Sequence, residues 1–150
     1  MTVRIACVGA GFIGARHLAN LAQIDGARIV GIADLTPERA VEQAASHGGR
    51  PYRDWRAMLE AERPDAVYLC LPPFAHGEPE QALIDLRLPF FVEKPLSLDA
   101  DPPEALARQI EATGLLTSVG YHWRYIDTVE QSRRLLTSRP ARLALGYWLD

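Results

Sequence analysis

The sequence predicts an α/β protein with a doubly wound parallel sheet and helices on both faces. Short apolar runs alternate with segments of helical period along most of the chain. Runs such as "DAVYLCL" are apolar nearly throughout, as in strands that are buried on both faces. A glycine-rich turn follows directly after the first apolar run, which is typical of the first strand-to-helix connection in such sheets.

The order of the elements follows from where each apolar run and each helical period begins and ends. Strands are predicted at 3–8, 28–33, near 51, 66–71, 89–93 and 115–119, and helices at 12–24, 37–46, from 54, 77–87 and 102–113. Thr36 before Pro37, and Asp54 before "WRAMLEAE", are typical of helix starts. This alternation of predicted strands and helices indicates parallel strands that are joined by crossover helices.

The last part of the chain departs from this alternation. A helix is expected over about 126–137, and "RPARLALGYWLD" then has the pattern of a turn followed by a strand. We expect one domain over 1–125, and over 126–150 a helix and an extra C-terminal strand that begins a second domain absent from this chain. Because exposed apolar strands tend to pair, a homodimer through this strand is also expected.

Composition and charge limit the classes of function. The chain has 150 residues, 48% of them apolar, and a formal net charge of −3, which suits a domain with its own core. It has no apolar run of about 18 residues and no lysine and arginine block. We therefore expect a cytoplasmic protein that binds neither membranes nor nucleic acid. Cys7 and Cys70 lie in strand-like runs and are expected in the core, and no metal site is predicted.

The stretch "CVGAGFIGARH" carries the glycine spacing of a dinucleotide-binding loop. Gly9 follows a predicted strand and permits a tight turn, Gly11 lets a pyrophosphate approach the backbone, and Gly14 lets helix and strand pack closely. The amides of Phe12 and Ile13 are expected to face the phosphates at the positive end of the helix. A Rossmann domain that binds NAD or NADP is therefore predicted, and a purely structural turn is the alternative.

An acidic residue decides which dinucleotide is expected. Asp34 ends the second predicted strand, 20 residues after Gly14, where a carboxylate accepts hydrogen bonds from the ribose of the adenosine. Its charge also repels a 2′-phosphate, so NAD is favoured. Arg39 lies one helical turn further on and leaves NADP open.

A second constellation follows the fifth predicted strand, in "FFVEKPLSLD". Lys94 at the carboxyl end of a strand is expected to point at the ligand crevice. Its ammonium can donate to a substrate hydroxyl and stabilise a developing alkoxide. The alternative is a solvated charge paired with Glu93.

Four blocks in this order, "GAGFIGARHLANL", "LPPFAH", "EKP" and "VGYHWRY", resemble the N-terminal domain of the Gfo/Idh/MocA oxidoreductase family over about residues 3–125. The resemblance implies hydride exchange between NAD(P) and a hydroxyl-bearing carbon of a sugar or polyol. It also implies a cis peptide bond between Lys94 and Pro95.

The same resemblance implies roles for further residues. Lys94 matches the family lysine that contacts substrate and the nicotinamide ribose, and Glu93 supports it. Pro73 and His76 match the loop that borders the cofactor, and Arg124 matches an arginine near the nicotinamide and the substrate.

Two departures from the family pattern are visible. Pro72, Pro73 and Phe74 stand where many members have a more polar series, and no substrate domain follows. We therefore expect cofactor binding without turnover by this chain alone. The alternatives are an NAD-binding regulatory module and a fragment of a longer enzyme. His17, on the first predicted helix, is expected to pack or cap rather than to act in catalysis.

Overall fold

Parallel strands form one sheet in the computed structural model, which describes residues 2–99 and 101–138. The strands are β1 (Val3–Val8), β2 (Ala27–Ala33), β3 (Arg50–Tyr52), β4 (Ala66–Leu69), β5 (Phe90–Val92) and β6 (Thr117–Val119). Their order in the sheet is β3-β2-β1-β4-β5-β6, and every neighbouring pair is parallel. The order reverses between β1 and β4, which is where open α/β sheets bind their ligands.

Helices connect the strands. They are α1 (Phe12–Leu21), α2 (Pro37–His47), α3 (Trp55–Glu62), α4 (Glu78–Asp85) and α5 (Asp101–Thr113), and a 3-10 helix at Pro73–Ala75 precedes α4. All of these elements belong to one compact unit that ends at Gly120. A second unit begins at Tyr121 and contains a 3-10 helix, His122–Tyr125, and α6 (Asp127–Ser138).

Side chains from β1 alternate between two apolar clusters, one on each face of the sheet. Ala6 and Val8 belong to the cluster that includes side chains of α3, α4 and α5. Ile5 and Cys7 belong to the cluster that includes side chains of α1 and α2. Both faces of the central strand are therefore buried over Ile5–Val8, which confirms the doubly wound α/β fold and explains why this part of its sequence is apolar.

Several predicted boundaries shift by one to three residues. The first helix ends at Leu21 rather than at 24, and β4 ends at Leu69 rather than at 71. Leu71 is apolar because it packs against the core from the loop, not because it extends the strand. Apolar patterning reports burial, so it overestimates a strand whose following loop is also packed.

The two predicted helix starts have different outcomes. The Asp54 carboxylate accepts a hydrogen bond from the Arg56 amide at 2.9 Å, which confirms it as the cap of α3. Thr36 occupies the cap position of α2, but its side chain makes no capping hydrogen bond. The Thr36 amide instead donates to Asp34 Oδ1 at 2.8 Å.

The predicted strand within "RPARLALGYWLD" lies outside the described residues, and the dimer expected through it stays a prediction. None of the helices in the described part of the chain has the length and hydropathy that crossing a bilayer requires.

Candidate cofactor site

The turn after β1 requires glycine at two of the three fingerprint positions. Gly9 has a φ of +94°, and a Cβ there would overlap the carbonyl oxygen of Cys70, which directly follows β4. Gly14 lies in α1, where a Cβ would overlap the carbonyl oxygen of Gly9. The two glycines therefore let the turn and α1 lie directly against the end of β4, as the fingerprint predicts.

Gly11 has a different environment from the other two glycines. It is the N-cap of α1, with an ordinary φ of −70°, and apart from its chain neighbours no atom of the described residues lies within 4 Å of an added Cβ. No side chain caps α1 at this end, so the first-turn amides, including those of Phe12 and Ile13, keep their capacity to donate. The open space and the positive helix end together fit a pyrophosphate group.

Asp34 follows β2 and is held in one orientation by two backbone amides. Its Oδ2 accepts from the Ala10 amide at 2.8 Å, and its Oδ1 accepts from the Thr36 amide at 2.8 Å. Each carboxylate oxygen has a second lone pair, so Asp34 retains capacity for two ribose hydroxyls. The Ala10 contact ties the carboxylate to the glycine turn itself.

A cleft of about 520 Å³ joins the glycine turn to Asp34. Leu71 and Phe74, from the loop after β4, and Trp55 also line this cleft. Arg39 and Arg53 line the same cleft. A carboxylate and two guanidinium groups therefore share the region where an adenosine ribose would bind, which is the mixture of charges that decides between NAD and NADP.

The loop after β4 is fastened by His76 and Glu80, whose side chains are 2% and 5% exposed. His76 Nε2 lies 3.1 Å from the Leu71 carbonyl oxygen, and Nδ1 lies 2.5 Å from Glu80 Oε1. Because a carbonyl oxygen only accepts, Nε2 is the donor in the contact with Leu71. The Gly77 amide donates to the other oxygen of Glu80 at 2.6 Å.

The loop after β4 contains Pro73 and His76, two of the residues that were predicted to border the cofactor. Pro73 begins the 3-10 helix beside the cleft, and Phe74 is 79% exposed. Both nitrogens of His76 are engaged within the protein, so its predicted cofactor contact stays a prediction, and the ring has an additional role in holding the loop. The sequence reasoning did not identify Glu80 as a partner of this loop, although "GEPE" has the spacing of a capping box.

Glu93 and Lys94 follow β5 at the same edge of the sheet as the glycine turn. The Glu93 amide donates to the Leu69 carbonyl at 2.8 Å, and the Lys94 amide donates to Glu93 Oε2 at 3.0 Å. The Lys94–Pro95 peptide bond is cis, as the resemblance implied. Lys94 itself is exposed.

Glu93 pairs with a histidine rather than with the ammonium group of its neighbour. His17 Nε2 lies 2.8 Å from Glu93 Oε1, and the two side chains are 23% and 12% exposed. Glu93 was expected to support Lys94, but His17 was expected only to pack or cap. The sequence contained one signal for it, since His17 lies one helical turn beyond Gly14 and faces the same sheet.

Two thiols, those of Cys7 and Cys70, lie close to the glycine turn. A hydrogen bond with Cys70, together with full burial, raises the pKa of Cys7 well above its ordinary value. Cys7 is fully buried and Cys70 is half-buried, and both are free thiols. The expectation of core cysteines is thus confirmed for Cys7 and met in part by Cys70.

Arg124 lies in the second unit, within the 3-10 helix His122–Tyr125. Its guanidinium carbon is 5.5 Å from the centroid of the Tyr125 ring, a cation–π distance. Its expected place near the nicotinamide stays a prediction.

The fold and the glycine turn define a dinucleotide-binding Rossmann domain, and comparison with known proteins gives its family. Residues 3–121 match the family model that describes the NAD-binding Rossmann fold of the Gfo/Idh/MocA oxidoreductase family. The chain belongs to this family, and it is an NAD-binding oxidoreductase domain.

Among curated relatives, the chain is 36% identical over 124 residues to 4-carboxy-2-hydroxymuconate-6-semialdehyde dehydrogenase from Sphingobium sp., covering 82% of this chain and 39% of that enzyme. It is 34% identical over 139 residues to inositol 2-dehydrogenase from Rhodococcus erythropolis, covering 91% and 40%. The crystal structure of myo-inositol 2-dehydrogenase from Lactobacillus plantarum matches with a TM-score of 0.82 and 25% identity, covering 92% of this chain and 42% of that one. The chain thus spans about two fifths of the length of these relatives.

Proposed function

We propose that this chain binds NAD across the carboxyl ends of β2, β1, β4 and β5. The observation that carries the proposal is the position of Gly11 at the N-cap of α1. Unlike Gly9 and Gly14, it has no close contact in the described part of the chain that an added Cβ would disturb. Among the described residues no atom fills this space, which leaves room for a ligand group at the positive end of α1. The neighbouring carboxylate of Asp34, fixed by two amides, supplies a second contact for the adenosine ribose.

The order of the strands sets the direction of the proposed cofactor. Asp34 follows β2 on one side of the glycine turn, and Lys94 follows β5 on the other side. A dinucleotide with its pyrophosphate on α1 and its adenosine ribose on Asp34 therefore extends its nicotinamide towards β4 and β5. This direction brings Lys94, and the loop that includes Pro73, to the reactive end.

Lys94 is the residue we propose for catalysis. A bound nicotinamide ring supplies hydride acceptance or donation. The Lys94 ammonium, on a backbone held by Glu93, would donate a hydrogen bond to the substrate hydroxyl and favour its alkoxide form. Exposure of Lys94 leaves the ammonium accessible to a substrate from solvent.

The proposed substrate is a polyol or sugar with a secondary hydroxyl, because several of the curated relatives are inositol dehydrogenases. We propose that residues 1–125 supply the cofactor half of such an oxidoreductase and that 126–150 lead into the part that encloses the substrate. The relatives are more than twice as long as the aligned segment, which supports this division.

Calorimetric titration of the chain with NADH and, separately, with NADPH tests the proposal. We expect saturable binding of both, with NADH the tighter ligand because Asp34 repels a 2′-phosphate. Gly11→Ala, which adds a methyl group where the pyrophosphate is proposed, should weaken both ligands. Binding that Gly11→Ala leaves unchanged would refute the site, and tighter binding of NADPH would refute the assignment of NAD.

A further inference from the structure

We propose that His17 is a positioning residue, which orients Lys94 through the carboxylate of Glu93. The inference rests on the proposed function, because Lys94 is the group that would meet the substrate. Its basis is a chain of two hydrogen bonds. His17 Nε2 contacts Glu93 Oε1 at 2.8 Å, and Glu93 Oε2 accepts the Lys94 amide at 3.0 Å. Both oxygens of one carboxylate are therefore committed to fixing the start of the "EKP" segment.

The imidazole ring of His17 is itself held in place. Its centroid lies 5.4 Å from that of the Tyr68 ring and 4.9 Å from that of the Phe91 ring, and these two rings stack at 4.8 Å. Tyr68 belongs to β4 and Phe91 to β5. A ring packed by neighbours on two strands has few alternative rotamers, so its Nε2 stays directed at Glu93.

The opposite side of the Glu93 carboxylate is closed by backbone. A Cβ on Gly120 would lie 2.8 Å from the carboxyl carbon and from each carboxyl oxygen of Glu93. Gly120 is tied to β5, since its amide donates to the Val92 carbonyl at 2.9 Å. The carboxylate is thus enclosed between α1 and the end of β6, at 12% exposure, where a charge-assisted hydrogen bond is stronger than at the surface.

These contacts link the two ends of the proposed cofactor site. His17 lies on α1, and the first turn of the same helix carries the amides proposed to bind the pyrophosphate. Glu93 and Lys94 lie at the proposed nicotinamide end. Through His17 and Glu93, the position of α1 fixes the position of the Lys94 backbone, so that the pyrophosphate and the reactive group are held at a constant separation.

The test compares His17→Leu with His17→Gln. The leucine variant keeps an apolar side chain between the aromatic rings but cannot donate to Glu93. The glutamine variant places an amide nitrogen where Nε2 lies, so it can restore the hydrogen bond. His47→Leu, the same substitution at the end of α2, is the matched control.

Each variant is titrated with NADH and with ADP, which lacks the nicotinamide and its ribose. We expect His17→Leu to weaken NADH roughly tenfold, because a displaced Lys94 would lose one charged hydrogen bond to the nicotinamide ribose, and to leave ADP within about twofold. His17→Gln should recover most of the NADH affinity, and His47→Leu should change neither. Equal loss of both ligands, or no loss of NADH, would overturn the positioning role.

A second readout is independent of the cofactor. The amide resonance of Lys94 in the nitrogen–proton correlation spectrum of the free chain should move in His17→Leu and return towards its original position in His17→Gln. An unmoved Lys94 amide would refute the proposal even if the leucine variant binds NADH poorly. If the unmodified chain fails to bind NADH, the proposed function fails, whereas the Lys94 amide still decides whether His17 positions that residue.

Discussion

The three glycines of the turn are not equivalent, and two alanine substitutions separate the folding requirement from the binding requirement. Gly14→Ala places a methyl group against the carbonyl oxygen of Gly9, which is backbone and cannot rotate away. Gly11→Ala places a methyl group in a space that the other described residues leave open within 4 Å. The first substitution should therefore destabilise the fold, and the second should reduce binding without a comparable loss of stability.

The expected magnitudes follow from the contacts. Forcing a methyl group into a closed site costs about 1–3 kcal/mol, which lowers the melting temperature of a domain of this size by between about 2 and about 12 °C. At Gly11 the backbone is already in a conformation that alanine adopts, so the change in stability should stay within about 1 kcal/mol. Loss of one charge-assisted hydrogen bond to the pyrophosphate, about 1.5–3 kcal/mol, weakens NADH roughly tenfold to a hundredfold.

Two measurements on each variant decide the matter. Thermal denaturation without ligand gives the stability, and calorimetric titration with NADH at a temperature well below the transition gives the affinity. The reasoning fails if Gly14→Ala melts at the same temperature as the unmodified chain. It also fails if Gly11→Ala is as destabilised as Gly14→Ala, or if it binds NADH with unchanged affinity.

Further predictions concern charge and burial. Asp34→Asn keeps the shape of the side chain but removes its charge, so the ratio of NADPH to NADH affinity should rise roughly tenfold; an unchanged ratio in paired titrations would argue against Asp34 as the selector. His76→Leu breaks a buried pair and should cost about 3–5 kcal/mol, and a loss below about 1 kcal/mol in urea denaturation would contradict the loop-fastening role. Burial raises the pKa of Tyr52 and of Tyr68, and the pKa of Cys7 is raised first by its hydrogen bond with Cys70. Because these groups ionise more readily in the unfolded chain, their contribution to the free energy of unfolding is intact below their ordinary pKa values and is lost as pH rises above those values. Melting temperatures that stay flat or rise between pH about 8 and about 11 would be inconsistent with this loss.

Local patterns were sufficient for the fold and for the glycine turn. The alternation of apolar runs predicted the doubly wound sheet, and the spacing of Gly9, Gly11 and Gly14 predicted a turn whose two outer glycines are required by backbone contacts. These features depend on residues close together in sequence, and their geometry is the same wherever the motif occurs. The cis bond before Pro95 came from the family resemblance rather than from local reasoning.

The side-chain pairs could not be predicted in the same way. His17 and Glu93 are 76 residues apart in the sequence. Their contact depends on where α1 packs on the sheet relative to the end of β5. Thr36 had the sequence of a side-chain cap, but the Asp34 carboxylate takes its amide. His76 illustrates the limit of resemblance, because its position beside the cleft was predicted, whereas the direction of its ring depends on Glu80 and the Leu71 carbonyl.

A crystal structure of the chain with NADH would test the central claim most directly. The account predicts the pyrophosphate on the amides of Phe12 and Ile13, the adenosine ribose on Asp34, and the nicotinamide towards Lys94. A dinucleotide bound in the opposite direction, or in a cleft away from the glycine turn, would contradict it.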